Sequence, residues 1–320
     1  MRLAKSKVIV TGGAGFIGSH LVDKLIEKGS EVIVYDNFDE YYANKENNIS
    51  HNLSNPNFTL VKADILDIDV LSKTIKDVDV VFHLAAQPGV RFSFENPIRT
   101  NIVNTNGTLN VLQAAKQAQT RKVVFASSSS VYGTPRYMPI DEKHPTDPIS
   151  IYGASKLAGE KYCEIYSRSY DLPVVILRYH TVYGPRQRPE MAIYKWTRML
   201  LDNECPEIYG DGNQTRDFTY ISDIVDGTIL AAETDRIGCE IFNLGGGSRI
   251  TVCEVIENLI KITGMEDLQP KKVPAKMGDV SDTCANIQKA ERLLGYKPKV
   301  DMKEGLAIFV RWFIENRRHS

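Results

Sequence analysis

Between a short apolar run at residues 7–10 and helical apolar spacing at Ile17, Leu21, Leu25 and Ile26 stands Thr11-Gly12-Gly13-Ala14-Gly15-Phe16-Ile17-Gly18. A glycine-rich turn between a buried strand and a helix leaves few folds open. The glycines permit a tight turn and let a pyrophosphate approach the backbone. They also allow the helix to lie close to the sheet with its N-terminus directed at the phosphates. The string satisfies G-x-x-G-x-x-G through Gly12, Gly15 and Gly18, and G-x-G-x-x-G from Gly13. Such a pattern gains meaning only from its strand–turn–helix setting, which it has. Phe16, Ile17 and Gly18 open the helix, predicted over 16–28 and stopped by Gly29.

Further strands are predicted at 31–35, 58–61, 78–82, 122–126 and 174–177, with helical stretches between most of them, notably 98–119 and 152–170. Alternation of this kind implies the α/β class: a doubly wound parallel sheet with helices on both faces. After residue 178 it gives way to Pro-, Gly- and Arg-rich loops at 184–190, 210–216 and 271–279. We therefore expect a Rossmann-type dinucleotide-binding domain over 1–178. A smaller C-terminal substrate lobe over 179–320 would be partly interleaved with it.

Asp36 stands at the end of the second strand, 18 residues after Gly18. A carboxylate there accepts bonds from adenosine ribose hydroxyls and repels a 2′-phosphate, which favours NAD over NADP. Asn37 follows it. Asp64 and Ile65 follow the third strand, where a carboxylate can meet the adenine amino group.

A net charge of −1 gives no electrostatic case for nucleic-acid or membrane partners. No apolar run approaches the ~20 residues of a bilayer span. The N-terminus enters a strand without an apolar leader. The five cysteines are scattered and lack C-x-x-C spacing, so reduced thiols and a cytoplasmic location are expected. No cluster has metal-ligand spacing, and no metal is expected.

Tyr152 and Lys156 fall one helical turn apart on one face. For a phenol to act as a base near pH 7, its pKa must drop by roughly 3 units, worth about 4 kcal/mol. A lysine ammonium and a positive nicotinamide ring are sources of that shift.

Taken with Leu84-Ala85-Ala86-Gln87, the run from Ser127 through Ser128, Ser129 and Ser130 to Tyr132-Gly133, and Arg216-Asp217-Phe218, these residues resemble the extended short-chain dehydrogenase/reductase family. More narrowly, they are similar to the nucleotide-sugar 4-epimerases over nearly the full length. The resemblance implies an NAD-dependent enzyme that inverts C4 of a UDP-sugar through a transient 4-keto intermediate. It implies Tyr152 as the acid/base, Ser128 hydrogen-bonding the reacting sugar oxygen with Ser130 close by, and Lys156 also binding the nicotinamide ribose. Leu84, Ala85, Ala86, Gln87 and Asn101 would lie along the cofactor. Arg216 would grip the diphosphate, assisted by Lys276 and Asp279 of Gly278-Asp279-Val280. Ser129 and Ser130 stand where related dehydratases carry Asp-Glu and related decarboxylases a Glu, which argues against both chemistries. Lys276 replaces a more usual arginine and keeps the charge without the fork. His180 replaces an aromatic and is expected to be packed.

Thr181-Val182-Tyr183-Gly184-Pro185-Arg186-Gln187-Arg188-Pro189-Glu190-Met191 resembles the corresponding segment of UDP-glucuronate 4-epimerases. That implies contacts from Thr181 and Arg188 to the C5 carboxylate, with Arg91 near the phosphates or sugar. Arg186 is expected to be a solvated loop charge. Thr283, where UDP-glucose/galactose epimerases often close the pocket with a tyrosine, would leave room for larger sugars. UDP-glucose/UDP-galactose epimerisation, with N-acetyl sugars accepted, is the alternative. The resemblance further implies a homodimer joined by a four-helix bundle built from the helices at 98–119 and 152–170.

Overall fold

Alternation within the strands sends successive side chains to two separate cores. Val8 and Val10 of β1 (Lys7–Thr11), Val32 and Val34 of β2 (Glu31–Asp36) and Val80 and Phe82 of β4 (Val80–His83) pack into one of them. Ile9, Ile33 and Val81, one residue out of step, pack into the other. Strands buried on both faces need helices on both faces. The computed structural model describes residues 2–41, 45–235, 238–274 and 282–317. In it, α1 (Phe16–Glu27) and the Ile221–Glu233 helix cover the first face. The second is covered by α2 (Ile68–Ile75) and two later helices, Gly107–Gln117 and Ile151–Tyr170.

With β3 (Phe58–Lys62), β5 (Lys122–Ser128) and β6 (Val174–Tyr179), these strands form a seven-stranded sheet. Its order is Cys239–Leu244, β6, β5, β4, β1, β2, β3, with every neighbouring pair parallel. This is a Rossmann-type α/β fold, in which the sheet grows outward in both directions from β1 and β4. The crevice at that reversal opens beyond the C-terminal strand ends, where such folds bind ligands. Each strand read from the sequence is present, most of them one or two residues longer.

The Cys239–Leu244 strand was not foreseen. Its sequence, Cys-Glu-Ile-Phe-Asn-Leu, carries Glu240 and Asn243 within the apolar run, yet it pairs with β6 over six residues. The chain after β6 thus returns to the main sheet before completing the peripheral elements. Those include the short paired strands Glu207–Tyr209 with Lys271–Val273 and Thr215–Arg216 with Ile250–Thr251. Among the described residues no helix is long and apolar enough to cross a membrane.

Candidate active site

The turn after β1 is shaped by what its glycines exclude. Gly12 has φ +71°, and a Cβ on it would come 2.8 Å from the Ala85 amide nitrogen. A Cβ on Gly18 would run into the Gly12 carbonyl oxygen. With no Cβ at either position, α1 starts against the sheet and its first-turn amides open onto the crevice. Asp36, buried at the tip of β2, is clamped. Its Oδ2 accepts from the Ala14 amide at 3.1 Å, and its Oδ1 accepts from the Phe38 amide at 2.8 Å and Lys45 Nζ at 3.1 Å. Asn37 Nδ2 donates to Asp64 Oδ2 at 2.9 Å, so these two residues share one edge of the crevice.

Next to β4, Gln87 is held through its backbone. Its amide donates to Asn104 Oδ1 at 2.7 Å and its carbonyl accepts from Asn104 Nδ2 at 3.1 Å. The Gln87 side-chain Nε2 is buried without a hydrogen-bond partner. Asn104 sits in a π-turn, Ile102–Asn106, and reaches Ser155 Oγ at 2.9 Å. Asn101 requires a correction. It is exposed at the end of the Pro97–Asn101 helix, away from the cleft, and the inward asparagine is Asn104. The extra residue of the π-turn shifts which side chains face inward.

Ser150 caps the Ile151–Tyr170 helix, its side chain accepting from the Gly153 amide at 3.0 Å. Gly153 lets this helix approach the Ser129–Val131 turn, since a Cβ there would come 2.5 Å from the Ser130 carbonyl. Tyr152 is thereby brought beside Ser128, close enough for the Ser128 hydroxyl to act on the phenol. Ser128 Oγ also donates to Ser130 Oγ at 3.1 Å. Lys156 is buried one turn on, its Nζ donating to the Ala126 carbonyl at 2.8 Å and lying 5.1 Å from the Phe125 ring centroid. Below it, Glu160 accepts from Ser127 Oγ at 2.5 Å and is gripped at both oxygens by Arg178, at 2.9 and 2.6 Å. Ser127 therefore ties β5 to the helix instead of merely ending a strand.

Burial dominates the electrostatics of both Tyr152 and Lys156. It pushes the Tyr152 phenol up, opposed by the Arg188 guanidinium and by the nearby Ser128 hydroxyl. Burial in turn pulls Lys156 down to about 8, opposed by Cys163 and Glu160. Within the chain itself the balance at Tyr152 lies with the protonated phenol, because desolvation outweighs the positive charges near it.

One cleft of about 820 Å³ runs from the glycine turn to the segment after β6. It collects Gly12, Gly15, Phe16, Ile17 and Gly18 with Asp36, Asn37, Asp64 and Ile65. Leu84 to Gln87 and Arg91 line it, as do Ser128, Ser130, Tyr152, Lys156, Thr181 and Arg188. Arg216 and Thr283 are not among its lining. Arg216 donates to the Thr215 carbonyl at 2.9 Å, and Thr283 Oγ1 accepts from the Asp217 amide at 3.2 Å. Thr283 is thus engaged in bracing a loop, and the expectation that it sizes the sugar pocket finds no support in its position. Lys276 and Asp279 lie outside the described residues. Arg186 is not a solvated charge: it pairs with Asp23 of α1 at 2.8 Å, tying the 184–190 loop to the cofactor helix. His180 is packed as expected, buried with no hydrogen-bond partner at either ring nitrogen.

Lys45, Tyr41 and Glu190 also line the cleft, and none of them was assigned a role from the sequence. They stand in loops or, for Lys45, in a single 3₁₀ turn, without periodicity, and only the fold brings them to the site.

Comparison with known proteins gives a consistent pattern. The family model described as GDP-mannose 4,6 dehydratase matches residues 9–309. A putative UDP-glucose 4-epimerase of Methanocaldococcus jannaschii is 43% identical, over 97% of this chain and 99% of the relative. UDP-glucuronate 4-epimerase 2 of Arabidopsis thaliana is 38% identical, over 96% of this chain and 75% of the relative. Among solved structures, UDP-glucuronic acid 4-epimerase of Bacillus cereus, in complex with UDP-glucuronic acid and NAD, superposes with a TM-score of 0.93 at 39% identity. The match covers 97% of this chain and 99% of that one.

Proposed function

The chain belongs to the GDP-mannose 4,6 dehydratase family of extended short-chain dehydrogenases/reductases, and from that premise we propose that it interconverts UDP-glucuronate and UDP-galacturonate. It is an NAD-dependent UDP-sugar 4-epimerase, an isomerase. The observation that carries the sugar's identity is Arg188. Its guanidinium lies in the cleft close enough to act on Tyr152, and its Nη1 is buried without a hydrogen-bond partner. A buried, unmet donor on a cation calls for an anionic acceptor. A C5 carboxylate held by Arg188 and Thr181 meets that need next to the reacting carbon.

The cofactor cradle fits NAD. The glycine turn and helix start that line the cleft, the clamped Asp36 carboxylate and the unmet Gln87 Nε2 suit a pyrophosphate, a ribose diol and a further polar group. Bound NAD supplies reversible oxidation at the sugar's C4. Tyr152 takes the proton from the C4 hydroxyl and returns it, while Ser128 hydrogen-bonds the same oxygen. Lys156, anchored on the Ala126 carbonyl, presents its remaining donors to the ribose side of the site. A 4-keto uronate is a β-keto acid and loses CO₂ when its carboxylate stands perpendicular to the ketone plane. Thr181 and Arg188 hold that carboxylate out of the reactive orientation. The segments following β6 supply the UDP-sugar side of the cleft, and Arg91, which lines it, is assigned to the diphosphate or sugar.

A second reading, UDP-glucose/UDP-galactose epimerisation, is favoured by the ion pair between Arg188 Nε and Glu190 Oε1 at 3.2 Å. Such a pair leaves the subsite neutral and able to take a hydroxymethyl group. A panel of UDP-sugars analysed for C4 epimers separates the two. UDP-glucuronate is expected to turn over fastest, and Arg188→Ala is expected to impair it mainly. Equal UDP-glucuronate activity before and after that substitution would rule the uronate assignment out.

The assembly in this proposal is a cytoplasmic homodimer. Ile98, 71% exposed, with Ile102, Ile165 and Tyr170, leaves apolar side chains open along the two helical segments of the expected four-helix bundle.

A further inference from the structure

The partner of Arg188 is only half fitted to it. Glu190 Oε1 lies 3.2 Å from Arg188 Nε, yet neither that oxygen nor Arg188 Nη1 makes a satisfactory hydrogen bond, and both atoms are buried. The contact uses one edge of a fork built for two parallel bonds. Burial first, and the neighbouring Glu190 carboxylate after it, push the Tyr41 phenol up to about 12, so a protonated phenol stands beside Glu190 as a second donor within its reach. The Tyr41 ring packs edge-on against Phe92 at 4.9 Å, and a Cβ on Gly89 would come 2.6 Å from its hydroxyl. The phenol is therefore fixed in place. The Arg188 guanidinium lies 5.9 Å from the centroid of the same ring.

We propose that Glu190 is a specificity-determining residue, a resident carboxylate that occupies Arg188 until a substrate carboxylate displaces it. This rests on the reading of Arg188 as the receptor for the sugar's C5 carboxylate. With a neutral sugar the Arg188–Glu190 pair stays intact and no bare cation is left in the cleft. With a uronate, two carboxylates compete for one guanidinium, and Glu190 falls back on Tyr41. Repulsion between the two anions then acts against the uronate alone. Glu190 thus narrows the preference for acidic over neutral sugars that Arg188 creates.

The test is binding of UDP-glucuronate, UDP-glucose and UDP, by calorimetry, to NAD-loaded protein carrying Tyr152→Phe to prevent turnover. Glu190→Gln is expected to tighten UDP-glucuronate relative to UDP-glucose by roughly fivefold or more, the scale of one partly exposed charge pair. Affinity for UDP, which has no C5 substituent, stays level and reports an intact fold. Glu190→Ala should move the ratio in the same direction. An unchanged ratio, or one shifted toward UDP-glucose, overturns the proposal. Arg188→Ala separates the two levels of inference. If it leaves UDP-glucuronate binding intact, the uronate reading itself fails. If it weakens that binding while Glu190→Gln leaves the ratio unchanged, only the role of Glu190 fails.

Discussion

Tyr152 and Lys156 show what spacing can and cannot tell. Their helical register was legible because i and i+4 share a face, but the field at the phenol was not, since burial and Arg188 belong to other parts of the chain. Tyr152→Phe removes the proton acceptor alone. Epimerisation should fall by about 10²–10⁴-fold, with NAD content unchanged by absorbance; undiminished turnover would dismiss the base role. Lys156 carries a pH signature. Burial disfavours its ammonium, so the charge is lost as pH rises through about 8. Where catalysis uses that charge, kcat should decline above this pH, and Lys156→Arg should move the decline upward. Stability linked to the group runs the other way. Between about 8 and the ordinary lysine value of 10.5, the unfolded chain keeps a proton that the folded protein has released. This contribution to unfolding free energy therefore rises with pH across that window. The melting-temperature gap between Lys156→Met and the parent protein should shrink there.

At the scale of elements, the glycine turn was the most readable part, because sterics leave glycine alone able to fill it. The structure adds which contact each glycine serves. Gly18→Ala puts a methyl group against the Gly12 carbonyl and should force α1 away from the turn. Purified protein is expected to lose most of its NAD while keeping its far-UV spectrum; full NAD occupancy would contradict the close-packing account. The helix at 98–119 was read as one regular stretch. It is instead two α-segments joined by the Ile102–Asn106 π-turn. The resemblance pointed to Asn101, whereas the buried asparagine of this turn is Asn104, and no local signal in Asn101 to Asn106 marks the irregularity. Lys45, Tyr41 and Glu190 were illegible for another reason. A charged or aromatic loop residue has no periodic neighbours, and its partner is settled only when distant strands close the crevice.

For the whole molecule, alternation of strand and helix sufficed to give the sheet and its reversal point, because strands buried on both faces demand that arrangement. It did not give the Cys239–Leu244 strand, whose polar residues are satisfied by tertiary contacts. Asn243 meets Tyr132 and Ile140 through its side chain, and Glu240 pairs with Lys289. The expected dimer belongs to this scale as well. Ile98→Asp places a charge in the proposed apolar interface and should convert the dimer to monomer by sedimentation. A species of unchanged mass would remove these helices from the interface.

Arg188 acts on the Tyr152 phenol and also pairs with Glu190. With Arg188 as the proposed receptor of the sugar carboxylate, substrate range and working pH become a single adjustable property. A descendant that traded Arg188 for a neutral side chain, to welcome neutral sugars, would also surrender part of the field that eases Tyr152 toward ionisation. It would have to recruit positive charge elsewhere or retreat to a more alkaline niche.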